Sequence, residues 1–260
     1  MCELIFVDTK DNLVNILTTY ALLLTDGAKN PDGFGIFTEK SGLFKTEIQP
    51  NNIDSLSTLI KYKCNSDIIL AHVRYASDKK TVNNEKAHPF ETEKLIFSHN
   101  GGLEFNNPDK YKNRNLIDSE VFLSELNENY GRYLPEALID TMKNFTGKFA
   151  FLIYSKVENM YYIVRGLTAK LYMSRISVNG IDIGFVVNTD DVDLEKSLSV
   201  VKDFIFLING DRLEYTNPLL LHSEKIYYVN NKQLIESGHK VKENKKHFSP
   251  INWFKLNVKK

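Results

Sequence analysis

Met1-Cys2-Glu3-Leu4-Ile5-Phe6-Val7-Asp8 opens the chain. Leu4 to Val7 is a short apolar run cut by an aspartate, which reads as a buried strand over Glu3–Val7 with Cys2 at its start. Removal of Met1 would leave thiol and α-amine on one residue. An α-amine titrates near ~7.7–8.0 and a free thiol near ~8.5. The amine is then partly neutral at cytosolic pH and can take the thiol's proton, directly or through a water. Taken alone, a cysteine at position 2 reads as an accident rather than a nucleophile, and it is what lies downstream that overturns this.

Working outward, Asp11 to Leu24 carries apolar residues at Leu13, Val14, Ile16, Leu17, Tyr20, Ala21 and Leu24, a helical stripe ended by Asp26-Gly27. Gly33–Phe37 and Gly42–Ile48 read as paired strands, Asn52–Lys61 as a helix, and Asp67–Tyr75 as a central strand with Arg74 at its end. Lys94–His99 is a strand running into the turn signal Asn100-Gly101-Gly102. A polar loop over 106–115 leads into helices at Ser119–Leu126 and Leu134–Asn144. Strands then follow at Lys148–Tyr154, Met160–Arg165, Leu171–Ser174 and Ile181–Asn188. A short helix at Val192–Ser197 and strands at Phe204–Leu207 and Arg212–Tyr215 complete the pattern. Two runs of strands with helices before, between and after them predict an α+β fold of stacked, helix-flanked sheets.

Five further segments carry chemistry. They are Asp32-Gly33-Phe34-Gly35-Ile36, Ala71-His72-Val73-Arg74-Tyr75-Ala76-Ser77, Ala87-His88-Pro89-Phe90, Ser98-His99-Asn100-Gly101-Gly102 and Asp118-Ser119-Glu120. In this order, behind Cys2, the set resembles the class II glutamine amidotransferases, which are N-terminal-nucleophile (Ntn) hydrolases. The likeness runs from Cys2 to about residue 190. It implies the four-layer αββα Ntn-hydrolase sandwich, two antiparallel sheets between helical layers. It also implies that Cys2 attacks the side-chain amide of L-glutamine, releasing ammonia and leaving a γ-glutamyl thioester that water cleaves to glutamate.

The same resemblance assigns roles. Arg74 would hold the substrate α-carboxylate, and a guanidinium suits this because it offers two parallel N–H donors. Asp118 would meet the α-ammonium, although an aspartate before Ser119 also reads as a helix N-cap. Asn100 and Gly101 would form the oxyanion hole, whose alternative is a plain turn after a strand. Ser77 would bond the substrate carboxylate, from a loop with Tyr75 over the pocket. His88 reads as a loop support, His72 and His99 as strand histidines, and Gly33 and Gly35 as permitting close packing beside Cys2. The chain departs from the family pattern at Glu3, where many members have glycine, and at Asp78, where some synthase-linked members have histidine.

Composition sets bounds. Thirty-three basic and thirty-three acidic side chains cancel, so overall charge gives no reason to expect nucleic acid or a membrane surface as partner. Two cysteines, Cys2 and Cys64, make neither a disulfide framework nor a zinc site, and no cofactor or metal is expected. With no secretory signal and no apolar run near the ~20 residues that span a bilayer, a cytoplasmic protein is expected. The expected division is a catalytic domain over 1–225 and a C-terminal extension over 226–260. That extension ends in a basic tail broken by Trp253-Phe254, either solvated or docking a partner. No acceptor domain is recognisable, so ammonia would go to a separate synthase or nowhere. Two other readings stand beside this one. A cysteine amidase for a non-glutamine amide would not need the Arg74/Asp118 clamp, and a silent partner-binding subunit would need a defect among the core residues.

Overall fold

The structure is a computed structural model that describes residues 2–49, 68–111 and 115–244. In chain order its first half contains β1 (Glu3–Thr9), α1 (Asn12–Lys29), β2 (Phe34–Thr38), β3 (Gly42–Thr46), β4 (Ile68–Val73), β5 (Phe90–Glu91), β6 (Leu95–Phe105), α2 (Asp118–Asn129) and α3 (Leu134–Met142). The second half contains β7 (Phe145–Ser155), β8 (Met160–Arg165), β9 (Tyr172–Val178), β10 (Ile181–Asn188), α4 (Asp191–Asn209), β11 (Leu213–Tyr215), β12 (Leu219–Leu220), β13 (Lys225–Asn230) and β14 (Gln233–Lys240).

Among the described residues two antiparallel sheets form. The first runs β11-β9-β10-β1-β4-β2-β3, with β12 also on β9; the second runs β14-β13-β8-β7-β6-β5. Strand alternation explains how they stack. Leu4 and Phe6 of β1 pack between the sheets with Leu70, Ile96, Leu152 and Phe185. Ile5 and Val7 turn the other way and pack with Val14 and Leu22 of α1 and Leu198 and Val201 of α4. Behind the second sheet, Phe97, Phe149 and Phe151 pack with Phe122 of α2 and Leu138 of α3. The result is the α+β sandwich expected, helices outside and sheets inside. Both faces of β1 are covered, which is why its apolar run is continuous rather than alternating. Phe6 is 1% exposed and lies edge-on to Tyr161 at 5.5 Å between centroids. Its loss to alanine would cost about 3–5 kcal/mol.

Several elements differ from the sequence expectation. The first helix does not stop at Asp26-Gly27 but runs to Lys29, with both residues buried. Its start is as expected, since the Asp11 carboxylate accepts from the Leu13 and Val14 N–H groups at 2.8 and 3.2 Å. The segment Phe204–Leu207 is not a strand; it lies in α4, which continues from Asp191 to Asn209. Leu194, Leu198, Val201 and Ile205 are its buried stripe, Asp190 caps its start, and Gly210 at φ 74° ends it. The strand expected to end at His99 continues through Asn100 and Gly101 to Phe105. The expected helix over 52–61, Cys64 and the tail from 245 onward lie outside the described residues.

The 225/226 boundary falls within β13. That strand pairs with β8, and the chain stays on the domain through Asn244, whose side-chain amide donates to the Met142 and Phe145 carbonyls at 2.8 and 3.1 Å.

Candidate active site

β1 and β4 are neighbours, with Glu3 opposite Val73 and Leu4 opposite His72. Continuing that register sets Cys2 beside Arg74 at one end of the first sheet. The Tyr75 N–H points at the Cys2 thiol at 3.3 Å, and the thiol lies 3.4 Å from the Tyr75 carbonyl oxygen. Cys2 is partly exposed. Burial pushes its thiol above the usual range, and the Glu3 charge adds to this. The Tyr75 N–H and the Arg74 charge pull the other way without cancelling it. Such a thiol is protonated at neutral pH and needs a base to become a nucleophile.

Arg74 ends β4 in a fixed pose. Its backbone N–H donates to the Gly33 carbonyl at 2.8 Å, and its carbonyl accepts from Asp32 at 3.1 Å. Arg74 is 4% exposed as a residue, and burial lowers its pKa. Two of its donors reach the Thr81 carbonyl and hydroxyl, both at 2.8 Å. No carboxylate among the described residues forms an ion pair with it. The guanidinium has five N–H groups, so Thr81 leaves donors over for a ligand.

The loop after Arg74 is held by Asp32. Its carboxylate accepts from the Ala76 N–H at 2.8 Å and pairs with Lys79. Burial pushes this carboxyl up, but Lys79, the Ala76 N–H and Arg74 outweigh burial and lower its pKa. Lys79 also lies over the Tyr75 ring at 4.5 Å, and Tyr75 is 46% exposed. Ser77 is exposed on this loop. Gly33 at φ +114° leaves no room for a Cβ, which would sit 2.4 Å from the Thr46 carbonyl; at Gly35 it would sit 2.1 Å from the His88 carbonyl. The tight approaches these glycines permit are therefore to β3 and to the His88-Pro89 step, not to Cys2.

The second sheet supplies the opposite wall. Ile96 of β6 packs between the sheets while Phe97 faces the helices, so alternation turns Asn100 toward the first sheet. Asn100 and Gly101 are paired with Ala150 and Phe149 of β7, so they belong to a ladder and not to a free turn. Gly101 has φ +148°, and a Cβ there would lie 2.0 Å from the Lys148 carbonyl. The His72 ring Nε2 lies 3.2 Å from the His99 carbonyl oxygen, tying the two sheets together one peptide before Asn100. Burial drives the His72 pKa down to about 3 and lowers those of His88 and His99, so all three are neutral near pH 7. His88 packs against His72 at a tilt, 4.3 Å between centroids, and meets Phe90 edge-on at 4.5 Å.

Asp118 is the first residue of α2 rather than its cap, which is Ile117. One Asp118 oxygen accepts from the Leu103 N–H at 2.9 Å, which ties the helix start to β6. The start of α2 is also secured by Glu120, which accepts from Ile117 N–H at 2.8 Å and pairs with the buried Lys86 at 2.6 Å. Asp32, Lys79, Thr81, Lys86 and Glu120 received no role from sequence reasoning. Asp32 and Glu120 stand inside quoted motifs, so the signal was present. Thr81 and Lys79 carry no motif signal. Among the described residues no three His, Cys, Asp or Glu side chains converge as a metal site, and no helix is long and apolar enough to cross a membrane.

The model of a family described as glutamine amidotransferases class-II matches residues 1–150. An 83-residue stretch is 41% identical to the Saccharomyces cerevisiae protein called probable glutamine amidotransferase DUG3, covering 28% of this chain and 23% of that protein. Two solved structures share the fold at 16% identity with a TM-score of 0.60: the allosteric regulatory enzyme of purine biosynthesis, and glutamine phosphoribosylpyrophosphate amidotransferase from B. subtilis complexed with ADP and GMP. Each matches 94% of this chain, which spans half the length of those two chains.

Proposed function

Because the chain belongs to the class II glutamine amidotransferases, we propose that it hydrolyses L-glutamine with Cys2 as nucleophile. With Met1 removed, the freed α-amine takes the thiol proton and the sulfur attacks the side-chain carbonyl carbon. The C–N bond breaks as the proton passes to the leaving nitrogen, and ammonia departs. Water then cleaves the γ-glutamyl thioester and returns the thiol. The observation that carries this reading is the adjacency of Cys2 and Arg74, with the Tyr75 N–H on the sulfur at 3.3 Å. A glutamine whose α-carboxylate meets Arg74 would have its side chain directed along the Cys2 strand end.

Asp118 takes the α-ammonium with the oxygen not used by Leu103, and Ser77 adds a donor to the carboxylate. Asn100 and the Gly101 N–H meet the oxyanion, where one lost donor costs about 3–4 kcal/mol. Ammonia passes to a separate acceptor synthase in the cytoplasm. The test is glutamate release from L-glutamine by wild type and Cys2→Ala, with the intact mass recorded to establish loss of Met1. Release by the wild type alone supports the proposal. Turnover of an N-acyl amine but not glutamine, by chain lacking Met1, would replace it with the amidase reading.

A further inference from the structure

The strand that carries Cys2 is held differently on its two sides. Toward β4 it is held by the ladder, with Glu3 opposite Val73 and Leu4 opposite His72. Toward β10 the register begins only at Ile5, opposite Asn188. Beyond that point a side chain replaces the ladder: the Thr189 hydroxyl accepts from the Leu4 N–H at 3.0 Å and gives its own proton to the Glu3 carboxylate. A hydroxyl has one proton to give, so Glu3 defines the direction of this strap.

Glu3 is 8% exposed and lies on the opposite face of β1 from Cys2. The groups around it come from every element packed there. α1 brings Asp26 and Lys29, α4 brings Asp193 with its cap Asp190, and the end of β10 brings Asn188 and Thr189. Asp26 accepts from the Asn188 amide at 3.0 Å, and burial together with the Glu3 and Asp193 charges raises its pKa. Lys29 pairs with Asp193. Acids thus outnumber cations in this pocket behind the nucleophile.

We infer that Glu3 is a positioning residue for Cys2: through Thr189 it fixes the strand end, and its ionisation sets the charge behind the thiol and α-amine. The inference rests on the glutamine-hydrolase reading for its consequence in turnover, though not for its effect on the thiol. Burial, with Asp190 and Asp193 adding and Thr189 opposing, lifts the Glu3 carboxyl to about 7, so this charge appears within the working pH range. Once ionised, Glu3 makes the thiolate harder to form.

The test uses the full chain carrying Cys64→Ser, so that alkylation reports Cys2 alone. Iodoacetamide alkylation is followed from pH 5 to 9.5, and glutamate release is measured on the same samples with loss of Met1 verified by mass. Glu3→Gln keeps an acceptor for Thr189 and removes the charge. Its alkylation profile should shift acidward by about half a pH unit or more. Thr189→Val should lower kcat about tenfold or more with KM within about twofold, and Thr189→Ser should restore it. A Glu3→Gln profile superimposed on wild type, or full kcat in Thr189→Val, would overturn the inference. A shifted alkylation profile in chain that releases no glutamate would uphold it and refute the glutamine reading instead.

Discussion

The two sheets bring unlike halves of the site, and they hold them by unlike means. On the second sheet, Asn100 and Gly101 sit inside an uninterrupted ladder between β6 and β7. On the first, Cys2, Arg74, Tyr75 and Ser77 lie just past strand ends, where side chains from Asp32, Lys79, Thr81 and Thr189 do the holding. A ladder fixes every backbone group on both sides, while a side-chain tether fixes only its own anchor point. With the proposed roles, the oxyanion donors lie within a ladder and the substrate clamp is tethered by side chains, which suits electrostatic stabilisation that must be in place before charge develops.

That contrast breaks first at the hole. Asn100→Ala should lower kcat by about 10²–10³ with KM nearly unchanged and the melting temperature intact. Gly101→Ala should lose as much activity and also melt earlier, because its Cβ would meet the Lys148 carbonyl at 2.0 Å. Equal melting temperatures for the two variants would deny the hole its place in the ladder.

On the clamp side the expected signature is reversed. Arg74→Lys removes the planar fork and the paired bonds to Thr81, so KM for glutamine should rise about 100-fold with a smaller change in kcat. A fall in kcat alone would mean that Arg74 acts on the transition state rather than on the substrate's amino-acid end.

Asp32→Asn keeps an acceptor for Ala76 and loses the Lys79 pair, so KM should rise about fivefold to tenfold with kcat held. The Asp32 pKa is lowered in the folded protein. Its stabilisation is therefore present above its unfolded value and lost as pH falls through the folded one. Acid melting curves should show wild type and Asp32→Asn converging as pH drops below about 4.

The smallest effect is expected at Glu3, whose folded pKa is raised. Its favourable contribution is complete below the unfolded value of about 4.5 and lost as pH rises through about 7. Between pH 5 and 8 the wild type should thus lose about 2–5 °C more in melting temperature than Glu3→Gln. Parallel curves would place Glu3 in a more solvated setting than its burial indicates.

Much of this was legible in one dimension. The apolar run after Cys2 announced a buried strand, the apolar stripe over Asp11–Leu24 a helix, and the ordered motifs the family and its sandwich. The extent of α4 was not legible, because a four-residue apolar run such as Phe204–Leu207 fits either period until the partner surface is known. Nor was the path of β6 through Asn100-Gly101, since Asn-Gly is a turn signal in isolation and only pairing with Ala150 and Phe149 makes it a strand.

Sequence by itself determined which residues could do the chemistry, because thiol, guanidinium, amide and carboxylate are properties of single side chains and their order along the chain is specific. Tertiary structure alone decided how they are held. Asp32 against Lys79, Thr81 against Arg74 and Thr189 against Glu3 are pairings set by which strands are neighbours. Whether Glu3 and Asp26 keep their protons depends on burial and on carboxylates far away in the chain. Those are properties of position in space, and no local pattern encodes them.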